Sequence, residues 1–246
     1  MKGGGQRAAG GGQGRIVVVT GSDTGVGKTV LTAWLTRRLR AAEVNAVALK
    51  ALCSGGRADA LALHAANGGA LTLDEVNPWH FRAALAPVLA ARRAGRRVRL
   101  VEVVARVRVV ARRFEVVVVE GAGGLLSPLG EDFDTRDLIV ALRAVPIVVV
   151  PNQLGAVNQA RLVLEALPKS ARGQAQVVLV EPRKPDAAAR TNATLLAEFA
   201  PGHVIARLPW LEGEAAPGQN PTRRAGGRRA GRAATALDSL VAALRG

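Results

Sequence analysis

The stretch Gly21-Ser-Asp-Thr-Gly-Val-Gly-Lys-Thr29 carries the residue types that hold a polyphosphate. Small residues let successive backbone N–H groups face an anion, and a helix starting after them adds its dipole. A lysine reaches the β- and γ-phosphates and a hydroxyl reaches Mg²⁺. Gly25, Val26, Gly27, Lys28 and Thr29 supply this set. The strict pattern wants glycine at position 22, where Ser22 stands. A plain Gly-rich turn with a chance Gly-Lys-Thr is the alternative.

Three further groups stand where strands should end. Lys50-Ala-Leu-Cys-Ser-Gly-Gly56 would send Lys50 into the same crevice, although by itself a solvated lysine at a strand end is the favoured reading. Val119-Glu120-Gly-Ala-Gly-Gly124 offers a carboxylate where Mg²⁺ is commonly held, and glycines that let backbone N–H groups approach a second anion. A capping glutamate before a turn is the bland equivalent. Asn152-Gln-Leu-Gly-Ala-Val-Asn158 places Gly155 at a helix start and Asn158 in its first turn, a pattern that ordinary turn chemistry also produces. Cys53 reads as a small buried hydrophobe, and His64, His80 and His203 show no metal-ligand spacing.

These motifs need a frame, and the hydrophobic pattern supplies one. Continuous apolar, β-branched runs predict buried strands at 15–20, 44–50, 115–120, 146–151 and 176–180, with a weaker one at 204–208. Helical spacing falls at 29–42, 59–66, 102–113, 135–143, 156–167 and 187–199, although 102–113 also alternates like a strand. Strands alternating with helices imply right-handed crossovers. The expected fold is α/β: a single-domain, P-loop NTPase-like fold with a mostly parallel sheet and helices on both faces. Ligands of such sheets bind beyond the carboxyl ends of the strands. The loops after Thr20, Lys50, Glu120, Pro151 and Val180 should therefore line one site.

Composition narrows the class. The 246 residues suffice for one α/β core and not for two comfortable ones. No apolar run approaches the ~18 residues of a membrane span. The Gly-rich start has no apolar segment of a secretory signal, so the expected address is the cytoplasm. One cysteine makes no internal disulfide. The net charge of +15 raises the question of nucleic acid, but it is localised. Nine arginines between 92 and 113 face only Glu102, and six between 213 and 246 face Glu214 and Asp238. With Lys2, Arg7 and Arg15 these stretches account for the whole excess, so the motif-bearing remainder is neutral. Nucleic-acid contact beyond weak, salt-sensitive binding by the basic tail is therefore not expected. The expected organisation is a flexible leader at 1–14, a catalytic domain at 15–212 and a basic, disordered tail at 213–246 with a short helix at 235–244.

Taken together, the series GSDTGVGKT, K…SGG, DALAL, VNPWHF, VEGAGG, N-x-LG-x-x-N and LPWL resembles the dethiobiotin synthetase family. The resemblance covers about residues 15 to 168 and a patch at 203–212. It implies an ATP-dependent cyclo-ligase that joins CO2 to 7,8-diaminopelargonate through a carbamate and a carbamic-phosphoric anhydride, in biotin biosynthesis. It implies that Thr24 to Val30 wrap the phosphates, with Lys28 on the transferred group. Thr29, Asp59 and Glu120 would be the Mg²⁺ side. Lys50 would hold the carbamate and the moving phosphoryl, and Ser54 would touch substrate. Gly121, Ala122, Gly123 and Gly124 would form an anion nest. Gly155 and Asn158 would meet the substrate carboxylate across a homodimer interface. Pro209, Trp210 and Leu211 would flank the adenine.

The chain departs from that family at three places. Ala51 stands where proline is usual, and the loop between Ser54 and Asp59 is short. Glu181, followed by Pro182, stands where an asparagine usually meets the adenine edge. An ionised carboxylate only accepts hydrogen bonds, so it favours bases presenting an amine, adenine and cytosine alike. Two other readings share the fold. One is a partitioning- or maturation-type ATPase switch, disfavoured because residues 21–26 contain no second lysine. The other is a synthetase amidating a larger corrinoid acid, for which no amidotransferase segment follows.

Overall fold

The computed structural model describes residues 14–210 and 227–245. The chain opens with β1 (Arg15–Gly21), α1 (Lys28–Ala41), β2 (Ala46–Leu49), β3 (Leu52–Ser54), α2 (Ala58–Ala66) and α3 (Leu73–Val76). It continues with β4 (Trp79–Phe81), α4 (Pro87–Arg93), α5 (Leu100–Ala111), β5 (Val116–Glu120), α6 (Thr135–Leu142) and β6 (Val145–Pro151). The rest comprises α7 (Ala156–Ala166), α8 (Lys169–Arg172), β7 (Gln176–Val180), α9 (Ala187–Phe199), β8 (Ile205–Leu208) and α10 (Gly227–Arg245).

Six strands form one sheet in the order β2-β5-β1-β6-β7-β8. Every neighbouring pair is parallel. Val17, Val18 and Val19 in the centre and Val117, Val118 and Val119 beside them are fully buried. Such strands need apolar side chains on both faces because helices cover both. The continuous valine runs follow from that demand. The parallel register also sends all strand ends one way, so Gly21, Glu120, Pro151 and Val180 close their strands on one rim.

β2 is an edge strand, and two buried amides finish it. Asn67 takes both backbone groups of Ala48: its Oδ1 accepts from the N–H at 2.7 Å and its Nδ2 donates to the carbonyl at 3.0 Å. An edge left bare would expose unpaired donors and acceptors. Asn77 donates to the Lys50 carbonyl at 2.7 Å, and the Lys50 N–H donates to the Val76 carbonyl at 2.9 Å. These contacts fix the backbone at the residue that follows the strand.

The segment expected to alternate like a strand or a helix is α5. Val103, Val104, Val107, Val110 and Ala111 are buried on one helical stripe. Glu102 accepts from the Arg99 N–H at 2.8 Å, which closes an orphan donor at the helix start. Two features depart from the sequence expectation. The short pair β3–β4 and the helices α3, α4 and α8 give too little periodicity to register. The C-terminal helix starts at Gly227 instead of 235, because tertiary contacts override its Gly/Arg composition. Ala233, Ala236, Leu237, Leu240, Val241 and Leu244 form its buried stripe, which packs on α1 and β8.

Candidate active site

The turn from β1 into α1 is the phosphate-loop segment. Gly25 and Gly27 have φ of 75° and 98°, which side chains rarely adopt. A Cβ on Gly27 would also come within 3.3 Å of Val180, so glycine lets the loop lie against the end of β7. The α1 N-terminus follows, with Gly27 as its N-cap and no side-chain cap, which leaves backbone N–H groups available to an anion. Lys28 is 6% exposed and its Nζ donates to the Asp23 carbonyl at 2.6 Å. Burial, then the charge of Lys50, pulls the Lys28 ammonium down to about 8, against the opposing pull of Glu120, Asp59 and Asp23. Both causes penalise an extra positive charge, so an anion bound beside Lys28 would relieve them.

Lys50 enters from the end of β2 and meets Glu120 at the end of β5. Lys50 Nζ lies 2.6 Å from Glu120 Oε1, 3.1 Å from Asp59 Oδ2 and 3.1 Å from the Gly121 carbonyl oxygen. Burial pulls its ammonium down, but Glu120 and Asp59 together outweigh that and hold it above its usual value. Asp59 sits in the first turn of α2, a favourable place for a carboxylate. Thr29 Oγ1 donates to Glu120 Oε1 at 2.8 Å. Glu120 is 2% exposed, and its Oε2 is buried with no partner among the described residues. A buried carboxylate oxygen without a donor, beside a threonine hydroxyl, is chemistry that suits a hard cation. Mg²⁺ takes one or two carboxylates and completes its shell with phosphate and water. No three His, Cys, Asp or Glu side chains among the described residues are placed to hold a metal ion by themselves.

These residues line one cavity of about 840 Å³. Thr24, Gly25, Gly27, Lys28, Thr29, Val30, Lys50, Ser54, Asp59, Glu120, Ala122 and Gly123 are all on its wall. Ser54, at the end of β3, donates to the Leu85 carbonyl at 2.7 Å. Gly123 has φ 71°, and a Cβ there would come within 2.4 Å of the Ser127 hydroxyl. That hydroxyl accepts from the Gly124 N–H at 2.8 Å, so the glycine-rich turn is folded tightly against β1. Gly121 and Gly124 belong to the same turn without lining the cavity, and Val26 is buried beneath the loop. Cys53 lines the cavity, and burial pushes its thiol up, as suits an inert packing residue. The lining also includes Arg37, Ser127 and Pro128, which the motifs did not single out. Arg37 lies within α1 at helical spacing from Val30 and Ala33, which was a readable signal; the other two needed the fold.

Gly155 and Asn158 lie elsewhere. Gly155 is the N-cap of α7 with φ 91°, and Asn158 is exposed on the first turn. Neither lines the cavity of the single chain. The link to the phosphate loop is Ser22, whose hydroxyl lies 3.3 Å from Gln159 Oε1 on α7. Asn152 turns inward instead: it donates to the Ala189 carbonyl at 2.8 Å and accepts from Asn192 at 2.9 Å, which pins β6 to α9.

Across the phosphate loop from Lys50, the ends of β7 and β8 adjoin, with the Glu181 N–H donating to the Leu208 carbonyl at 2.8 Å. This brings Glu181 and Pro182 together with buried Pro209 and exposed Trp210. Leu211 lies outside the described residues. The Glu181 carboxylate is 3% exposed and already engaged: Arg207 Nη2 reaches Oε1 at 2.5 Å, and Arg232 Nη2 reaches Oε1 at 2.9 Å and Oε2 at 3.0 Å. The expectation of open acceptor oxygens at this position is thereby altered. Arg207 and Arg232 were invisible to sequence reasoning, because their meeting depends on where α10 docks.

A family model described as an AAA domain matches residues 15–217. An ATP-dependent dethiobiotin synthetase from Anaeromyxobacter dehalogenans is 42% identical over 201 residues, covering 80% of this chain and 90% of the relative. One from Akkermansia muciniphila is 33% identical over 195 residues, covering 79% and 92%. Among solved structures, the MinD cell division protein of Aquifex aeolicus has a TM-score of 0.61 at 13% identity, covering 93% of this chain and 97% of its own. A ParA family ATPase of Chlorobium tepidum has a TM-score of 0.55 at 13% identity, covering 94% and 98%. These two likenesses share the fold alone. With close relatives spanning most of both chains, the chain belongs to the ATP-dependent dethiobiotin synthetase family, on a P-loop NTPase fold.

Proposed function

We infer that the chain is an ATP-dependent cyclo-ligase that carboxylates 7,8-diaminopelargonate and closes its ureido ring to dethiobiotin. The observation that carries this reading is the convergence of Lys28, Lys50, Asp59 and Glu120 on one cavity under a phosphate loop. One amine attacks CO2, loses a proton and becomes a carbamate. A carbamate oxygen attacks the γ-phosphorus and ADP leaves, giving a carbamic-phosphoric anhydride. The second amine then attacks the anhydride carbon, loses a proton and expels phosphate.

Each step moves negative charge, so positioning and charge neutralisation are the protein's contribution. Thr24, Gly25, Val26, Gly27 and Val30 form the phosphate cradle, and Lys28 follows the transferred phosphoryl. Lys50 has three donors and a short ion pair to give up, so it can turn from Glu120 to the carbamate and γ-phosphate as substrate enters. Gly121, Ala122, Gly123 and Gly124 offer backbone N–H groups to the carbamate, and Ser54 contacts the substrate. Thr29, Asp59 and Glu120 would hold Mg²⁺, which when bound supplies charge neutralisation at the phosphates. Glu181, Pro182, Pro209, Trp210 and Leu211 surround the base.

Gly155 and Asn158 serve the substrate carboxylate from a second chain. The exposure of both, with Leu154 85% and Leu162 62% exposed around them, supports a homodimer with α7 at its interface. The catalytic unit spans 15–212, between a leader at 1–14 and the basic segment from 213 whose helix docks back on the core. No helix among the described residues is long and apolar enough to cross a membrane, which fits a cytoplasmic address. The test is an assay of nucleotide hydrolysis and dethiobiotin formation with and without diaminopelargonate and bicarbonate. Hydrolysis that ignores both substrates would instead fit a switch ATPase.

A further inference from the structure

Besides its apolar packing, three polar contacts among the described residues tie α10 to the rest of the fold. Arg15 donates to the Leu244 carbonyl near the helix C-terminus, Arg38 Nε meets Asp238 Oδ1 at 2.5 Å, and Arg232 meets Glu181. The first two are on the outer run of the helix. The third reaches the rim of the sheet, beside the phosphate loop, because Val180 at the end of β7 faces Gly27.

The geometry there is a closed triad. Arg232 contacts both oxygens of the Glu181 carboxylate and Arg207 contacts one. Guanidinium N–H groups hold a carboxylate in a fixed orientation and remain charged throughout the accessible pH range. Donors are left over: each guanidinium carries five N–H groups, and the Arg207 and Arg232 side chains are 32% and 51% exposed. A base arriving at this wall therefore meets spare donors, while the carboxylate is spoken for.

We propose that Arg232, delivered by the C-terminal helix, is a positioning residue that sets the base selectivity of the nucleoside pocket. By occupying Glu181 together with Arg207, it gives the wall at the ends of β7 and β8 a donor character. Guanine O6 and uracil O4 are acceptors and suit such a wall, as guanidinium contacts to guanine O6 and N7 do elsewhere. Without Arg232 the Glu181 carboxylate regains acceptor capacity, and the amines of adenine and cytosine become the favoured partners. This inference rests on the nucleoside lying at the ends of β7 and β8, as in the proposed function.

The test measures equilibrium binding of ATP, GTP, CTP and UTP with Mg²⁺, without diaminopelargonate, so it reads the pocket independently of ring closure. In Arg232→Ala, both the ATP-over-GTP and the CTP-over-UTP preference should rise by about tenfold relative to the unaltered chain. In the Glu181→Ala background the same substitution should change both ratios less than twofold, because the acceptor it releases is gone. Arg38→Ala loosens the helix without touching Glu181 and should leave all ratios unchanged, which separates base choice from helix docking. Thermal unfolding of each variant checks that it folds, and Arg232→Lys, which keeps a donor, should shift the ratios less than Arg232→Ala. Either ratio staying within twofold in folded Arg232→Ala, or moving toward guanine or uracil, overturns the proposal. Absence of dethiobiotin formation with every triphosphate would instead overturn the assigned reaction, with the binding ratios still readable.

Discussion

Two buried glutamates close parallel strands on the same rim, and their partners differ. Glu120 ends β5 with Lys50 at 2.6 Å, a threonine hydroxyl on the same oxygen, and Oε2 left without a partner. Glu181 follows β7 with guanidinium donors on both oxygens. An ammonium is a compact charge on a flexible stem, so it can leave one carboxylate for an incoming anion. A guanidinium fork fixes its carboxylate in place. The same residue type, equally buried, is thus paired with a mobile charge on the wall of the phosphate-loop cavity. On the other side it is part of a fixed wall.

Substitutions that remove the mobile charges should have the largest effects. Lys28→Ala should lower turnover on the order of 10²-fold or more, since no other lysine lies in the loop. Steady-state dethiobiotin formation reads this, and near-normal turnover would remove Lys28 from the chemistry. Lys50→Gln should lower ring closure by a similar order while nucleotide affinity changes less than about tenfold. Calorimetric titration of nucleotide into the variant separates the two, and equal losses of both would make Lys50 a nucleotide anchor only. Assembly comes next. Leu154→Asp should convert a species of twice the 25.5 kDa chain mass into a monomer with impaired substrate binding, as read by sedimentation. An unaltered chain that is monomeric at micromolar concentration and fully active would contradict the shared site.

A pH effect of intermediate size distinguishes the two regions. Lys28 is held down to about 8, so in the free enzyme it is charged below that pH and neutral above it. Nucleotide affinity should therefore fall by up to about tenfold per pH unit above 8, and kcat/KM should fall with it. Lys28→Arg should move that limb to higher pH, because a guanidinium stays protonated. The smallest effect belongs to the outer clamp of α10. Both side chains of the Arg38–Asp238 pair are substantially exposed, so Arg38→Ala should cost no more than about 1 kcal/mol by denaturant unfolding.

The legible parts of the molecule were those carried by local rules. Valine runs had to be strands, the Gly-rich turn fell between a strand and a helix, and Lys50 and Glu120 fell at strand ends because the strands could be delimited. Segments whose structure depends on distant partners were silent. β3 and β4 are three residues each and exist by pairing with one another. The start of α10 is written in Gly and Arg, and its apolar stripe becomes a buried face only against α1 and β8. Glu181 was readable as a departure, but its chemistry depended on Arg207 and Arg232, the latter 51 positions away in sequence. A residue's type and strand position set where it points; what already occupies it is a property of the fold.

A cavity that couples ATP cleavage to ring closure through a phosphorylated carbamate must pass a carbamate oxygen to phosphate. Bicarbonate labelled with ¹⁸O tests it most directly. One carbamate oxygen bonds to the γ-phosphorus, and the ring-closing amine then cleaves that oxygen from carbon. Each dethiobiotin formed should be matched by one phosphate bearing one ¹⁸O, with the other label retained in the ureido carbonyl. Phosphate released without label, or in excess over dethiobiotin and indifferent to diaminopelargonate, would contradict it.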